Sequence, residues 1–367
     1  MNILRRLPLS RLLLLCALVL AIGVSATALA SALDSGPTPP AKPLAQAVHD
    51  ALAGADAHPA AGVSASITLT DHLLEGANLA SGGQGGSLTS SPLLTGASGR
   101  LWIAQDGRMR IELQAEQGDT QILWDGSTLS AYDAATNTLY RYTPPKQEAG
   151  SGSSGPSAGS QQHEVPSVAK IEEAISKLSQ HAGVSGATPT DVAGQPAYTV
   201  RVSPKESGSL LGGAELSFDA ANGVPLRTAV YSTASSSPVI ELAATAISYG
   251  PVEESVFAFT PPANAKVEQI SSSPANTGAP SGSSTQKPTL TTHGHGPSTI
   301  VLLEGKAHGS GNSAALEGLP KVDINGTSAT ELRTQLGTLL SFERGGVSYL
   351  VAGSLTPATI EAFARGL

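Results

Sequence analysis

The chain has 367 residues, of which 40 are glycine and 25 are proline, while aromatic residues make up only 4% and charged residues 14%. Its formal net charge of −8 argues against nucleic acid as a partner, because phosphate recognition needs clustered Lys and Arg. Cys16 is the only cysteine, which excludes a disulfide or a cysteine-based metal site within one chain. Such a composition suits extracytoplasmic domains joined by flexible linkers.

The N-terminal stretch predicts export. A basic head is followed by the apolar run 12–30, which ends in small residues as a secretory signal does. An uncleaved anchor is the alternative, since the run approaches the roughly 20 residues that span a bilayer. Cleavage is favoured. Residues 1–30 are therefore predicted to be a signal peptide or an N-terminal anchor, and residues 31–41 a tether.

Residues 42–268 are predicted to form one domain around a central set of hairpins, Gly99–Pro145. Short β-favouring runs alternate there with Asp-Gly, Gly-Asp and Thr-Asn turn signals. In its clearest strand Met109, Ile111 and Leu113 share one face. Arg108, Arg110 and Glu112 take the other face, which is expected to be solvated.

Helices and further strands flank this meander. Lys42–Ala53 and Val165–Gln180 have apolar residues at helical spacing, and the second of these helices has the clearer stripe. Strands are predicted at Val63–Leu69 and at four places between 195 and 249, with a hairpin turn at Ala221-Asn222-Gly223. The stretch Val256–Pro262 is expected to close the domain.

The C-terminal third divides into a linker and a second unit. Residues 269–297 are rich in Ser, Gly, Pro and Thr and are predicted to be a linker. Residues 298–367 are predicted to form a small α+β domain of short strands with a terminal helix opening at Thr356-Pro357.

Three motifs match patterns of functional sites, but each has a simpler structural interpretation. Gly155–Gly159 matches the G-x-S-x-G nucleophile pattern, but it stands in low-complexity sequence without the required strand and helix. His293-Gly294-His295 has no carboxylate or cysteine beside it, so a metal site is not expected. Asn325-Gly326-Thr327 fits a glycosylation sequon, but a turn is preferred.

Several strand motifs together resemble a known superfamily. They are Gly99-Arg100-Leu101-Trp102, Gly107–Ile111, Ile122–Gly126, Leu129–Asp133, Leu139–Tyr142, the strand Tyr198–Val202 and the turn at Asn222-Gly223. In this succession the chain from Ser31 to Val267 resembles the LolA/LppX-like superfamily of secreted lipoprotein and lipid carriers. That group includes the N-terminal domain of RseB/MucB-type envelope-stress regulators.

The resemblance implies an α+β fold with a curved, incompletely closed antiparallel β-sheet, a half-barrel covered by short helices. Its concave side would hold acyl chains in an apolar groove. The residues expected to line this groove are Met109, Ile111, Leu113, Ile122, Leu123, Trp124, Tyr132, Ile171, Ile175 and Leu178.

Two functions of different classes follow, and neither is enzymatic. The first is a secreted or envelope-associated protein that carries or senses lipid or lipoprotein acyl chains. The second is a regulatory protein of RseB type that binds a membrane protein partner. No triad, metal cluster or cofactor motif is found, so no cofactor is expected. A surface domain whose sheet only packs its own core is the plain structural alternative.

Overall fold

The computed structural model describes residues 36–75, 96–116, 118–144, 165–270, 289–306 and 319–367. Three α-helices are found in these ranges: α1 (Leu44–Ala57), α2 (Val168–His181) and α3 (Pro357–Arg365). Short 3-10 helices lie at Glu254–Phe257 and Gly296–Ser298. The predicted signal segment 1–30 and the G-x-S-x-G motif lie outside the described residues.

The larger part of the chain forms one 13-stranded sheet that is not closed. Its strands are β1 (Gly62–Asp71), β2 (Ala97–Ala104), β3 (Met109–Ala115), β4 (Gly118–Trp124), β5 (Leu129–Asp133), β6 (Thr138–Tyr142), β7 (Ala182–Val184), β8 (Thr188–Val192), β9 (Gln195–Pro204), β10 (Leu211–Asp219), β11 (Pro225–Ser232), β12 (Pro238–Tyr249) and β13 (Lys266–Ile270). The order across the sheet is β13-β6-β5-β4-β3-β2-β1-β12-β11-β10-β9-β7, with β8 paired to β9. All of these pairs are antiparallel except β13 with β6.

A second, six-stranded sheet follows in the order β14-β15-β19-β18-β17-β16. Its strands are β14 (Thr289–His293), β15 (Ile300–Lys306), β16 (Lys321–Ile324), β17 (Thr327–Arg333), β18 (Thr338–Arg344) and β19 (Val347–Gly353). Helix α3 packs on one side of it, where Ile360 and Ala364 are fully buried against Leu340 and Val351. The prediction of an incompletely closed antiparallel sheet, short helices and a small C-terminal α+β unit is thus confirmed.

The two sheets meet at strand ends through polar backbone contacts. Ser209 and Leu355 form an isolated β-bridge, and the Leu210 amide donates to the Ser354 carbonyl at 2.8 Å. The Gln335 amide donates to the Leu73 carbonyl at 3.2 Å. The small unit is therefore attached at the end of the large sheet where β1 finishes and β10 begins.

Helix α1 packs flat on the large sheet because its buried side is made of small residues. Ala47 and Ala51 are fully buried against Tyr198 and Phe218. Gly54 brings the last turns still closer, since a Cβ at this position would lie 1.8 Å from the Ala221 carbonyl oxygen. The side of the sheet that carries α1 is called the helix face below, and the other side the opposite face.

Some stretches differ from the sequence expectations. Strand β14 lies within 269–297, because Thr289–His293 finds a pairing partner in β15 that threonine-rich composition does not reveal. Residues 36–41 of the predicted tether lie against the fold, where the Tyr198 hydroxyl donates to the Pro40 carbonyl at 2.6 Å. Val256–Pro262 forms no strand but crosses the sheet, as described below.

The packing under α1 yields a stability prediction. Phe218 is 1% exposed, so Phe218→Ala should lower the free energy of unfolding by about 3–5 kcal/mol in urea titrations. Leu129→Ala is the matched control on the same face, because this side chain is already 36% exposed and its loss should cost less than about 1 kcal/mol. Equal losses in the two variants would contradict this account of the core.

Candidate functional site

The helix face carries two rows of side chains that run across eight neighbouring strands. Directly paired residues in a sheet point to the same side, so the strand registers place each row on one face. The first apolar row consists of Ile270, Tyr142, Leu129, Trp124, Met109, Ile103, Val63 and Tyr249. With strands about 4.8 Å apart, it extends for roughly 34 Å.

The second apolar row lies one pleat further along the strands. It consists of Tyr140, Ala131, Ile122, Ile111, Leu101, Ala65 and Ile247, with Glu268 beside Tyr140 at the sheet edge. The next row along the strands contains polar residues on the outer strands: Thr138, Asp133 and Thr120. The apolar surface of β4–β6 therefore has a polar border along this row.

Burial along the first row changes from one end to the other. Val63 and Ile103 are buried, because Val224, Leu226 and Val192 pack onto them. The outer members Leu129 and Ile270 are 36% and 52% exposed, and Trp124, Met109 and Tyr142 are half-buried. The row thus passes from an ordinary core into an open apolar face on β3–β6 and β13.

The ten residues predicted to line a groove fall into three groups. Met109, Ile111, Leu113, Ile122 and Trp124 share the helix face of β3 and β4. Leu123 and Tyr132 lie on the opposite face, because Leu123 pairs with Arg110 and Tyr132 pairs with Gln121. Ile171, Ile175 and Leu178 belong to α2.

Helix α2 packs against α1 and β7. Its Leu178 joins a cluster with Val202 and Ala214, on strands far from β3 and β4 in the sheet order. Periodicity identifies the apolar stripe of a helix but not the strands it meets, so α2 does not cover β3 and β4 as expected.

Sequence reasoning missed the outer members of the open face. Leu129, Tyr140, Tyr142 and Ile270 complete the two rows, and Leu101 joins them from β2. Tyr140 and Tyr142 stand two residues apart in one strand, and this spacing could have indicated that both side chains point to the same face. Ile270 carried no such signal, because β13 pairs with β6 across a long sequence separation.

The opposite face of β3–β6 is covered by residues 251–265, called the strap here, which connect β12 to β13. Arg110 Nη1 donates to the Val256 carbonyl at 2.6 Å, and its Nη2 lies 2.5 Å from Glu112 and donates to Gln121. The Phe259 ring lies 5.6 Å from the Tyr132 ring. Arg110 was expected to be solvated, but the strap buries most of its side chain.

A ladder of charged side chains crosses β9–β12 on the same opposite face. Glu215 Oε2 accepts from the Tyr231 hydroxyl at 2.7 Å and from Arg227 Nη1 at 2.9 Å, while Oε1 accepts from Arg201 at 2.9 Å. Arg227 also binds Glu241. Burial alone would raise the pKa of the Glu215 carboxyl, but these three donors outweigh it and hold the pKa below its usual value.

Two cavities lie at opposite ends of the large sheet. One of about 410 Å³ lies between residues 39–42, Tyr198, Asn222 and Tyr249. The other, of about 590 Å³, opens between the ends of β1, β2 and β3, beside Leu69, Ala97 and Ala115. The second cavity borders the helix face, whereas the first is separated from its open part by the buried Val63 cluster.

Within the described ranges, no group of three or more His, Cys, Asp or Glu side chains is placed to hold a metal ion. A search of the same residues identifies no helix with the length and apolar character needed to cross a membrane. What the described geometry presents is a partly exposed apolar surface on an unclosed sheet.

The fold defines a class: a largely antiparallel α+β protein with one unclosed sheet and a small appended unit. No protein-family model matches the chain, and no curated protein matches it in sequence. Among solved structures, MucB in complex with MucA(peri) is similar at 15% identity over 87% of this chain and 97% of that chain, with a TM-score of 0.44.

Two further structures are similar in the same way. The MucA/MucB complex of Pseudomonas aeruginosa is 14% identical over 88% of this chain and 96% of that chain, with a TM-score of 0.45. A LolA superfamily protein from Nitrosomonas europaea is 9% identical over 84% and 90%, with a TM-score of 0.19.

The strap contact predicts a local effect of one substitution. Arg110→Ala leaves the Val256 carbonyl and Glu112 without their donor, so amides of 253–259 should exchange with solvent about tenfold faster. Hydrogen exchange with mass spectrometry measures this. Arg100→Ala is the control, since Arg100 lies on the same face but is exposed. Unchanged exchange in Arg110→Ala would show that the other contacts of the strap are sufficient to hold it.

The charge ladder predicts a pH dependence of stability. Because the folded-state pKa of Glu215 is lowered, the unfolded chain binds this proton more readily. The stabilisation is therefore complete above the unfolded pKa, near 4.5, and is lost as the pH falls through the folded pKa. Urea titrations from pH 7 to about 3 should show a shallower acid loss of stability in Glu215→Gln than in the wild type. Parallel curves for the two proteins would contradict the assignment.

Proposed function

We propose that this protein is a non-enzymatic binding protein of the cell envelope or its exterior, which holds acyl chains against the open apolar face of β3–β6. The observation that carries the proposal is the pair of apolar rows, in which the outer members Leu129 and Ile270 are exposed and Tyr142 is half-buried. Large exposed apolar patches on proteins mark binding surfaces.

The two sides of the same strands differ in a way that supports this function. On the opposite face the strap already covers Leu123, Tyr132 and Leu139, which are buried. On the helix face of β4–β6, Trp124, Leu129 and Tyr142 keep part of their surface in solvent. A ligand therefore gains apolar contact on one side only.

The ligand class follows from the chemistry of this face. Its two rows contain aliphatic and aromatic side chains, and the charged Glu268 stands at the edge. An alkyl chain contributes about 0.8 kcal/mol for each buried CH₂, so it binds such a surface without specific polar contacts. The chain's predicted export segment supports an encounter with lipids outside the cytoplasm.

Fluorescent acyl probes test the proposal directly. The wild-type protein should bind cis-parinaric acid, and Ile122→Glu should weaken binding about tenfold or more by placing a charge in the second apolar row. Gln121→Glu is the matched control, because the neighbouring residue adds the same charge to the opposite face. If the wild type binds no acyl probe, or if both variants bind equally, the proposal fails.

A second candidate function is regulation through a protein partner in the envelope. The observation that favours it is the edge strand β14, which pairs only with β15 among the described strands and exposes Leu290. Such an edge accepts an extended peptide by β-pairing. Crosslinking of the full-length chain in envelope extracts should give a specific product that Leu290→Lys reduces; identical products from both proteins would count against it.

A further inference from the structure

Strand β13, at one edge of the large sheet, lacks two of the usual protections against pairing with another strand. It pairs with β6 alone among the described strands, and contains neither a proline nor a bulge. Val267 and Ile270, on its two faces, are 51% and 52% exposed. Edge strands with such features present unpaired N–H and C=O groups to solvent.

The charges on this edge are arranged in a self-complementary way. Lys266 and Glu268 lie on the helix face and form an ion pair at 2.6 Å within the strand. The Lys266 side chain is 71% exposed and that of Glu268 is 41% exposed, so both can be reached by a second strand. In an antiparallel pair of two identical strands, one register places each lysine opposite the glutamate of the other copy.

We propose that β13 pairs antiparallel with β13 of a second copy of this chain, in the register centred on Val267. This register aligns Lys266 with Glu268 of the other copy twice and Val267 with its own equivalent. The register centred on Glu268 would align two glutamates, which is destabilising in a sheet. Charge complementarity thus favours a second copy of β13 as the partner strand, and Val267 as the centre of the pairing.

The symmetry of this pairing has a structural consequence. A two-fold axis perpendicular to the sheet keeps the helix face of both copies on the same side. The exposed parts of the two first apolar rows, which end at Ile270, would then open in the same direction. The pairing does not require the proposed ligand, so a failure to bind acyl chains would not contradict it.

The expected dimer is weak, because in this register only Lys266–Glu268 of the five-residue strand lie opposite each other, which buries less surface than the roughly 1,200 Å² of a standard interface. Sedimentation velocity of the full-length protein should show a monomer–dimer equilibrium that shifts with concentration. Lys266→Glu and Glu268→Lys should each weaken dimerisation at least tenfold, because each places like charges opposite one another.

The double variant Lys266→Glu with Glu268→Lys gives the decisive comparison. It exchanges both charges, so the same register is complementary again and dimerisation should return to near the wild-type level. Val267→Asp is a second probe, since it places two carboxylates at the symmetry axis. Exchanging Glu173 and Lys177, an exposed ion pair on α2, is the control and should leave dimerisation unchanged.

Hydrogen exchange of β6 reports whether β13 is still docked in each variant, which separates loss of pairing from loss of the strand. A wild type that stays monomeric at every concentration overturns the proposal. It is also overturned by a docked double variant that dimerises no better than the single variants, or by pairing of β13 with a different protein in its place.

Discussion

The structure depends on the register of its antiparallel strands. Because directly paired residues point to the same side, a single residue of slip would move every apolar side chain of a strand to the other face. Eight strands hold the alignment from Ile270 to Tyr249 without a break in the first apolar row. The one bulge between β1 and β12, at Ser66/Ile67, lies beyond both rows.

The side chains on the two faces of this sheet are buried in different ways. On the opposite face, the largely buried side chains of Arg110 and Glu215 form hydrogen bonds with backbone and side-chain partners. On the helix face, α1 packs on apolar side chains of β9 and β10, while Leu129 and Ile270 on the outer strands remain exposed. In the proposed function, an acyl chain would lie on the part of this face that remains exposed, because its contacts there replace water and not protein.

The sheet edge adds a second constraint. An unclosed sheet keeps two edges, and proteins usually guard them with charge, proline or bulges. Here the charges of β13 neutralise each other and favour an identical strand over a foreign one. The strap leads into β13 and contacts the opposite face through the Arg110–Val256 hydrogen bond and the Tyr132–Phe259 ring pair, so it connects the covered face to the exposed edge.

The local elements follow from alternation, helical spacing and turn chemistry: the meander β2–β6, the first two helices and the hairpin at Asn222-Gly223 are all readable from the amino-acid order. The same alternation places Met109, Ile111 and Leu113 on one face. That Leu123 and Tyr132 lie on the face of the strap, and that α2 packs on α1 and β7, is set by tertiary contacts. These outcomes depend on contacts between residues far apart in the chain, and short-range periodicity carries no information about which distant partner an apolar side chain will meet.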